Sequence, residues 1–341
     1  MKRGFLAFVS EHLQAPPPVV TADLTGQTVM VTGANTGLGF EAAKHFARMN
    51  PARLILACRN ETKGNAAISK LKQETGFKAV ELWLLDLAKF SSVTEFADRF
   101  EKDGGRLDIL VANAAVAATE YRETVDGYEE SLQVNNISTS LLCLRLAPRL
   151  VETAKQHPGN RPRIVVVSSE VHYWRTIPES VYNTHSPFQT LGSQEFCTQK
   201  EMGDRYVITK LLNLFFTHSL QELLDDTPVI VDTVNPGYCY SELRREIKVG
   251  FMAIVDWLME KALARSTEGG SRQLVYAAVG GAEDPDKLKG AYLNIHRIDE
   301  PNDTLLGEEG KRRRDILWHD LVKELSKADP RVLDIVKEYS H

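Results

Sequence analysis

The stretch TVMVTGANTGLGFEAAKHFAR, residues 28–48, joins an apolar run, a glycine-rich loop and a helix-forming segment. The run TVMVT is typical of a strand that is buried on both faces. In the loop that follows, Gly33 permits a tight turn, Gly37 lets the backbone approach a pyrophosphate, and Gly39 lets the helix pack closely on the strand. The helix N-terminus would offer free N–H groups and a positive dipole to phosphates. The stretch therefore predicts a unit that binds a dinucleotide, against the alternative of a purely structural turn.

The same alternation of apolar runs and amphipathic stretches continues along the chain. Six further runs predict strands, at 54–58, 80–86, 107–112, 163–168, 229–234 and 291–295. Helical stretches are predicted near 38–49, 61–74, 91–102, 126–153 and 204–225. This pattern predicts an α/β fold with a single Rossmann-type, doubly wound sheet of about seven mostly parallel strands, flanked by helices.

The alternation also divides the chain into parts. Residues 1–24 form an N-terminal extension, residues 25–300 the Rossmann-type domain, and residues 301–341 a helical C-terminal tail that packs on the domain. Two segments of the domain, 170–202 and 238–265, do not follow the alternation. Long irregular insertions in compact domains are usually lids or binding loops, so both segments are predicted to lie on the substrate side.

Charge and cysteine content argue against several classes of protein. The formal net charge is −5, whereas a nucleic-acid footprint requires a basic face. The basic run at 311–314 is flanked by acidic residues and is expected to be a solvated helix face. The four cysteines include no CxxC pair, so neither a metal site nor a disulfide framework is predicted. A reducing, cytoplasmic location fits them best.

Residues 1–13 allow two interpretations. No stretch of the chain reaches the roughly 20 apolar residues of a membrane span. The apolar run at the start is too short for the core of a signal peptide. A short amphipathic helix here could make peripheral contact with a membrane surface. The favoured alternative is that it packs on the domain, with the prolines at 16–18 as an extended connector.

The glycine loop has the spacing TGxxxGxG, and with it the chain resembles the short-chain dehydrogenase/reductase family over residues 25–295. The resemblance implies a nicotinamide dinucleotide cofactor. Asp86 matches the family's acid near the adenine, and Asn113 matches its NAG motif, in which Ala115 here replaces the glycine. The cofactor-binding residues implied in this way are Gly33, Asn35, Thr36, Gly37, Leu38, Gly39, Arg59, Asp86, Leu87, Asn113, Ala114, Tyr206, Lys210, Pro236, Gly237 and Ser241.

The end of the second predicted strand indicates which dinucleotide is bound. Sites specific for NAD carry a carboxylate there, which bonds the ribose 2′-hydroxyl. This chain instead has Cys58 followed by Arg59. A guanidinium can hold a 2′-phosphate through two hydrogen bonds. Arg59 therefore favours NADP(H), against the alternative of a surface arginine that only caps a strand.

Tyr206 and Lys210 stand four residues apart in YVITK and share one face of a predicted helix. A free tyrosine has a pKa of about 10. A lysine ammonium one turn away favours the phenolate, and a pKa nearer the working pH makes a better proton donor or acceptor. Tyr206 is therefore predicted to protonate a carbonyl oxygen as hydride arrives, or to deprotonate an alcohol in reverse. The resemblance implies that Lys210 also holds the nicotinamide ribose.

The resemblance implies three further parts of the site. The run RIVVVSS brings Ser169 to the carboxyl edge of the sheet, where its hydroxyl would bond the substrate oxygen, with Ser168 as the alternative. Asn135 matches the family's helix asparagine, which holds a water in a proton relay to the lysine. The loop NPGYCYS, residues 235–241, would turn the chain over the nicotinamide, with Ser241 in place of the usual threonine.

The long insertion between Ser169 and Tyr206 makes the chain similar to the retinol-dehydrogenase-like branch of the family, in forms common in filamentous fungi. That branch implies a small hydrophobic carbonyl or alcohol as substrate. The aromatic residues of 170–202 and the apolar helix 251–259 would suit an apolar pocket. The alternative is that the aromatics simply pack the insertion.

The predicted function is therefore NADPH-dependent carbonyl reduction, or the same reaction run as alcohol oxidation. The alternative is a non-catalytic NADP(H)-binding sensor or scaffold, since fold alone does not separate these functions. The helices at 126–153 and 204–225 resemble the family's dimer faces, whereas some relatives with insertions are monomers. The sequence therefore leaves both a homodimer and a monomer open.

Overall fold

A computed structural model describes residues 5–103, 105–240 and 260–340. The described strands are β1 (Thr28–Thr32), β2 (Arg53–Cys58), β3 (Val80–Leu84), β4 (Ile109–Ala112), β5 (Arg163–Val167), β6 (Ile230–Asn235), β7 (Tyr292–Asn294) and β8 (Arg297–Asp299). They form one sheet in the order β3-β2-β1-β4-β5-β6-β7-β8. Strands β1 to β7 are parallel, and β8 is antiparallel to β7. The α/β fold prediction is confirmed, with β1 to β7 close to their predicted bounds.

The eighth strand is absent from the prediction. A two-residue turn joins β7 to β8, and its residues Ile295 and His296 have φ of 50° and 56°. A two-residue hairpin turn needs positive φ at both positions, and its usual sequence signal is Asn-Gly or Asp-Gly. Isoleucine and histidine give no such signal, so the pattern of residues did not indicate this hairpin.

The described helices cover both faces and both ends of the sheet. They are α1 (Phe5–His12), α2 (Gly37–Arg48), α3 (Glu61–Thr75), α4 (Phe90–Asp103), α5 (Glu130–Leu132), α6 (Ser138–Gln156), α7 (Glu179–Tyr182), α8 (Pro187–Gly192), α9 (Gln199–Leu223), α10 (Thr267–Val279), α11 (Gly307–Ala328) and α12 (Arg331–Tyr339). A π-helical turn, Gln133–Ile137, joins α5 to α6. Single 3₁₀ turns occupy Glu170–Tyr173, Pro285–Leu288 and Asp303–Leu305.

Helix α10 was not predicted, because Gly269 and Gly270 in its first turn weaken the helical pattern. The Ser266 side chain caps the helix by accepting a hydrogen bond from the Gly269 N–H at 3.0 Å. A β-carbon at Gly270 would lie 2.3 Å from Cys239 Sγ and 2.9 Å from Leu38 Cδ2. The glycine therefore lets α10 approach both the glycine loop and the loop after β6.

The core has two halves, one on each face of the sheet. Helices α2, α3 and α10 supply residues such as Phe46 and Leu274 to one half. Helices α4, α6 and α9 supply residues such as Phe100 and Leu211 to the other. Because both faces are covered, every residue of β1 is buried. The apolar runs in the sequence reflect this burial.

The C-terminal helices pack on the outer side of the second half, α11 against α9 and α12 against α6. The Tyr128 hydroxyl donates to Glu324 Oε2 of α11 at 2.6 Å. The buried guanidinium of Arg145 in α6 bonds Asp329 and, at 2.7 Å, Glu101. Buried polar contacts therefore fix this tail to the domain.

The basic run at 311–314 is not the simple solvated face that was predicted. Arg312 and Arg313 both pair with Glu179 of α7, and Arg314 pairs with Glu222 of α9 at 2.7 Å. The side chains of Arg313 and Arg314 are only 22% and 19% exposed. These arginines join α11 to the insertion and to α9, which the local sequence around them could not indicate.

This packing leads to a prediction on oligomeric state. The two helices that the family resemblance assigns to a dimer, α6 and α9, are contacted by the chain's own α12 and α11. We therefore expect multi-angle light scattering to give the mass of one chain at micromolar concentration. A stable dimer in which α6 and α9 gain protection from hydrogen exchange would contradict this expectation.

Candidate active site

The predicted site residues cluster by element at the carboxyl edge of the sheet. Gly33 follows β1, Arg59 follows β2, Asp86 and Leu87 follow β3, Asn113 and Ala114 follow β4, Ser169 follows β5, and Pro236 and Gly237 follow β6. Asn35 and Thr36 precede α2, which begins with Gly37, Leu38 and Gly39; Asn135 lies in the π-helical turn, and Tyr206 and Lys210 lie in α9. Parallel strands bring these ends together at one edge, where such sheets bind ligands. Ser241 lies outside the described residues.

The glycine loop is packed against the end of β4. Gly33 has φ of +65°, and a β-carbon there would lie 2.9 Å from Ala114 Cα. A β-carbon at Gly39 would lie 2.5 Å from Asn113 Nδ2. Both positions therefore require glycine.

Asn113 and Thr32 hold this contact together. The Asn113 side-chain amide donates to the Thr32 carbonyl at 2.9 Å. The Thr32 hydroxyl accepts from the N–H groups of Asn113 and Ala114, both at 3.0 Å. Sequence reasoning identified Asn113 but not Thr32, because the partners are 81 residues apart in the chain.

The start of α2 fits a phosphate group. Gly37 has φ of +61°, and no atom lies within 4 Å of the position that its β-carbon would take. Thr36 is the N-cap, yet its side chain makes no capping hydrogen bond. A 12-residue helix thus begins with uncapped N–H groups beside open space. These are the features that a pyrophosphate requires at this position.

The end of β2 carries positive charge only. Arg59 is exposed, and burial raises the pKa of the neighbouring Cys58 thiol to about 11. Cys58 is therefore neutral where NAD-specific sites place a carboxylate. At the end of β3, Asp86 Oδ1 accepts from the Ala88 N–H at 3.1 Å and shapes the turn, while Leu87 is buried.

The side chain of Asn135 makes hydrogen bonds to two different parts of the chain. Its side chain exchanges two hydrogen bonds with the backbone of Val116, both at 2.8 Å. Its amide also donates to the hydroxyl of Thr209 in α9 at 3.0 Å. The π-helical turn around Asn135 thus joins the segment after β4 to the helix that carries Tyr206 and Lys210. Such turns are frequent at functional sites.

Lys210 is almost fully buried at the end of β5. Its ammonium donates to the Val167 carbonyl at 2.8 Å and lies 5.3 Å from the centroid of the Tyr206 ring. Burial lowers the pKa of Lys210 to about 7. The amino group can therefore gain or lose a proton near neutral pH, beside a half-buried tyrosine.

The two serines after β5 differ in their surroundings. Ser168 is buried, and its hydroxyl donates to the Lys210 carbonyl at 2.7 Å. Ser169 is half-buried, and its hydroxyl accepts from the Val171 N–H at 3.4 Å at the start of a 3₁₀ turn. Of the two, Ser169 has the more accessible side chain.

The loop after β6 is tied to the loop after β5 by Asn235. The Asn235 side-chain oxygen accepts from the Gly237 N–H at 3.0 Å and from the Glu170 N–H at 3.2 Å. One amide therefore fixes the spacing between the Ser169 segment and the Pro236–Gly237 turn. The motif NPGYCYS contains Asn235 but does not indicate this contact with the segment after β5.

The insertion is largely part of the core. Tyr182 and Phe188 are buried in the same half of the core as residues of α11. For these residues the structure supports the alternative that the aromatics pack the insertion, because α11 covers them. Trp174 differs, since 58% of its surface is exposed. The predicted apolar helix at 251–259 lies outside the described residues.

The described part of the chain supplies three further observations. No described helix is both long enough and apolar enough to cross a membrane. Within the described ranges, His, Cys, Asp and Glu side chains form no group of three or more that could hold a metal ion. All four cysteines are free and buried.

The buried Lys210 predicts a pH effect on stability in the absence of cofactor. Its pKa is 10.5 in an ordinary environment and about 7 here. Between these values the unfolded chain binds more protons, so the free energy of unfolding rises with pH, by at most about 1.4 kcal/mol per unit. The free energy of unfolding, measured with urea, should therefore rise more steeply between pH 7 and pH 10 in the wild type than in Lys210→Met. This interval spans roughly three pH units. The exposed Lys200→Met should keep the wild-type slope, and equal slopes in all three proteins would contradict the assignment.

Comparison with known proteins identifies the family. A family model described as short chain dehydrogenase matches residues 27–184. The chain is 38% identical over 336 residues to the short-chain dehydrogenase anuD of Penicillium roqueforti, covering 96% of this chain and 84% of that protein. It is 35% identical over 331 residues to the short chain dehydrogenase/reductase dmxR8 of a Cryptosporiopsis species, covering 96% and 99%. The chain belongs to the short-chain dehydrogenase/reductase family, and the predicted likeness to fungal members is confirmed.

The fold comparison agrees. The crystal structure of an uncharacterised protein from Mycobacterium paratuberculosis superposes with a TM-score of 0.60 at 27% identity, covering 91% of this chain and 98% of that chain. Membership of this family makes the protein an oxidoreductase that uses a nicotinamide cofactor.

Proposed function

We propose that the protein is an NADPH-dependent oxidoreductase that interconverts a hydrophobic ketone or aldehyde and its alcohol. The observation that carries the proposal is the buried Lys210 ammonium, 5.3 Å from the ring of Tyr206. In its protonated form Lys210 favours the phenolate of Tyr206, which suits Tyr206 to proton transfer.

The roles of the catalytic residues follow from their surroundings. A bound NADPH supplies the hydride to the carbonyl carbon. Tyr206 donates a proton to the carbonyl oxygen, or takes one from the alcohol in the reverse direction. The Ser169 hydroxyl bonds the same oxygen and stabilises the charge that develops on it. Lys210 holds the ribose and returns a proton to Tyr206 through a relay that includes a water at Asn135.

The cofactor contacts divide between the phosphates and the rings. The uncapped start of α2, from Thr36 to Gly39, receives the pyrophosphate. Arg59 would bond the 2′-phosphate, and the neutral Cys58 in place of a carboxylate at the end of β2 supports NADPH over NADH. Asp86, Leu87, Asn113 and Ala114 would line the adenosine side, and the Pro236–Gly237 turn and Ser241 would hold the nicotinamide.

A hydrophobic substrate is supported by the side chains near this edge. Trp174 follows Ser169 by one 3₁₀ turn and is 58% exposed, and Tyr240 follows the Pro236–Gly237 turn and is 37% exposed. Segments 170–202 and 238–265 would then form the substrate side of the domain 25–300, with 301–341 packed behind it. The four free cysteines fit a reducing, cytoplasmic compartment.

The test is NADPH consumption by the purified protein over a panel of hydrophobic aldehydes, ketones and quinones, with NADH in parallel. We expect turnover of at least one carbonyl with NADPH, and weaker turnover with NADH. Tight NADPH binding without turnover in either direction would instead favour the sensor or scaffold. A protein that binds neither cofactor would overturn the proposal.

A further inference from the structure

The end of α1 and the prolines after it lie against the loops of the candidate site. We refer to residues 9–18 as the strap. His12 in the strap is buried, with 8% of its surface exposed. Its Nε2 accepts a hydrogen bond from the Tyr238 N–H at 2.8 Å. The same nitrogen lies 3.3 Å from Glu170 Oε1.

These contacts reach both loops that frame the proposed reaction centre. Tyr238 follows the Pro236–Gly237 turn directly, and Glu170 follows Ser169 directly. One imidazole ring therefore contacts the segment after β5 and the segment after β6. The Asn235 side chain hydrogen-bonds both segments from the sheet, whereas His12 accepts one hydrogen bond from Tyr238 and lies in contact with Glu170.

The turn that contains Gly237 packs closely against the imidazole ring of His12. Gly237 has φ of +80°, and a β-carbon there would lie 3.3 Å from His12 Nε2. The ring of His12 therefore packs directly on the backbone of this turn. A glycine turn is flexible by itself, so its position depends on what packs against it.

Charged side chains fasten the strap to the domain. Arg265 donates to the Glu11 carbonyl at 2.9 Å, and Arg297 pairs with the Glu11 carboxylate at 2.6 Å. Further along, Arg272 donates to the Pro17 carbonyl at 3.1 Å. The contacts spread over β8, α10 and Arg265, which lies two residues before α10. These residues of the strap engage the chain's own domain, which is the alternative to membrane contact that the sequence left open.

We infer that the strap positions the Pro236–Gly237 turn for cofactor binding, with His12 as the positioning residue. The inference rests on the proposed function, because it assigns the turn to the nicotinamide. His12 acts through its hydrogen bond from the Tyr238 N–H and does not take part in the chemical step. Its loss should weaken NADPH binding and leave kcat at saturating cofactor nearly unchanged.

Two variants of His12 separate hydrogen bonding from packing. His12→Phe keeps a ring but removes the acceptor for the Tyr238 N–H. His12→Gln keeps an acceptor at similar reach and adds a donor for Glu170. Leu13→Ala is the matched control, since the neighbouring Leu13 is 69% exposed.

The experiment measures the Kd of NADPH by its fluorescence and the hydrogen exchange of the peptide that contains Tyr238. For His12→Phe we expect a Kd about tenfold higher and faster exchange, because the Tyr238 N–H loses its acceptor. His12→Gln and Leu13→Ala should stay within about twofold of the wild type.

The outcomes distinguish this inference from the proposed function. Unchanged exchange and unchanged Kd in His12→Phe would overturn the positioning role. Equal losses in His12→Gln and His12→Phe would also overturn it, since packing alone would then explain both. A wild-type protein that binds no NADPH, yet shows faster exchange in His12→Phe, would overturn the proposed function and leave His12 as a structural contact only.

Discussion

Replacing Tyr206 with phenylalanine is expected to lower kcat by about 10²–10⁴, the usual range for general acid–base catalysis. The phenol hydroxyl is the proposed proton donor, and phenylalanine lacks it. The ring itself remains, so the packing beside the Lys210 ammonium at 5.3 Å from its centroid is retained. Steady-state kinetics with the best carbonyl substrate measures the loss, and fluorescence titration measures NADPH binding in parallel.

The matched control for this variant is Tyr339→Phe in α12, at the far end of the chain. It should behave as the wild type in both measurements. NADPH binding by Tyr206→Phe should stay within about twofold of the wild type, since Lys210 and the start of α2 are intact. If Tyr206→Phe keeps a large share of the wild-type kcat, another group donates the proton and the assignment is wrong.

Replacing Arg59 with glutamate is expected to raise the Kd of NADPH by roughly two orders of magnitude, because charge-assisted hydrogen bonds to the 2′-phosphate are replaced by repulsion. NADH lacks that phosphate, so its Kd should change little. The informative quantity is therefore the Kd of NADH divided by the Kd of NADPH. In the wild type this ratio should fall as the salt concentration rises, because Arg59 is exposed and salt screens its attraction for the 2′-phosphate.

Lys63→Glu provides the control for net charge. Lys63 is exposed on the first turn of α3, close to Arg59 in the chain, and the substitution changes charge by the same amount. A specific contact predicts a large change in Arg59→Glu and a small one in Lys63→Glu. Equal changes in the two variants would mean that the overall surface charge determines the affinity for NADPH. A specific bond to Arg59 would then be excluded.

The sheet was predictable because burial on both faces makes each parallel strand a continuous apolar run. The hairpin to β8 was not predictable, because Ile295 and His296 adopt positive φ without the usual glycine or asparagine signal at these positions. Helix α10 is not indicated by the sequence pattern because of Gly269 and Gly270. Gly270 permits the close approach to Cys239 and Leu38, and Gly269 the close approach to Pro16. In both cases tertiary contacts overrode the local preference of the residues.

The residues of the candidate site also fall into two groups, those that the sequence could indicate and those that it could not. Residues that act through their place at a strand end, such as Gly33 and Ser169, follow from motif and spacing. Residues that act through a partner distant in sequence do not. His12 and Tyr238 are 226 residues apart, and only the folded chain brings the imidazole to that N–H group.

The most direct test of the central claim follows the hydrogen that is transferred. The purified protein is given NADPH with deuterium at both C4 positions, together with a carbonyl substrate from the panel, and the alcohol is analysed by mass spectrometry. We expect one deuterium at the carbinol carbon of the alcohol, and at least about a hundredfold less alcohol from Tyr206→Phe over the same time. An alcohol without deuterium, or oxidation of NADPH without formation of alcohol, would contradict the proposed hydride transfer.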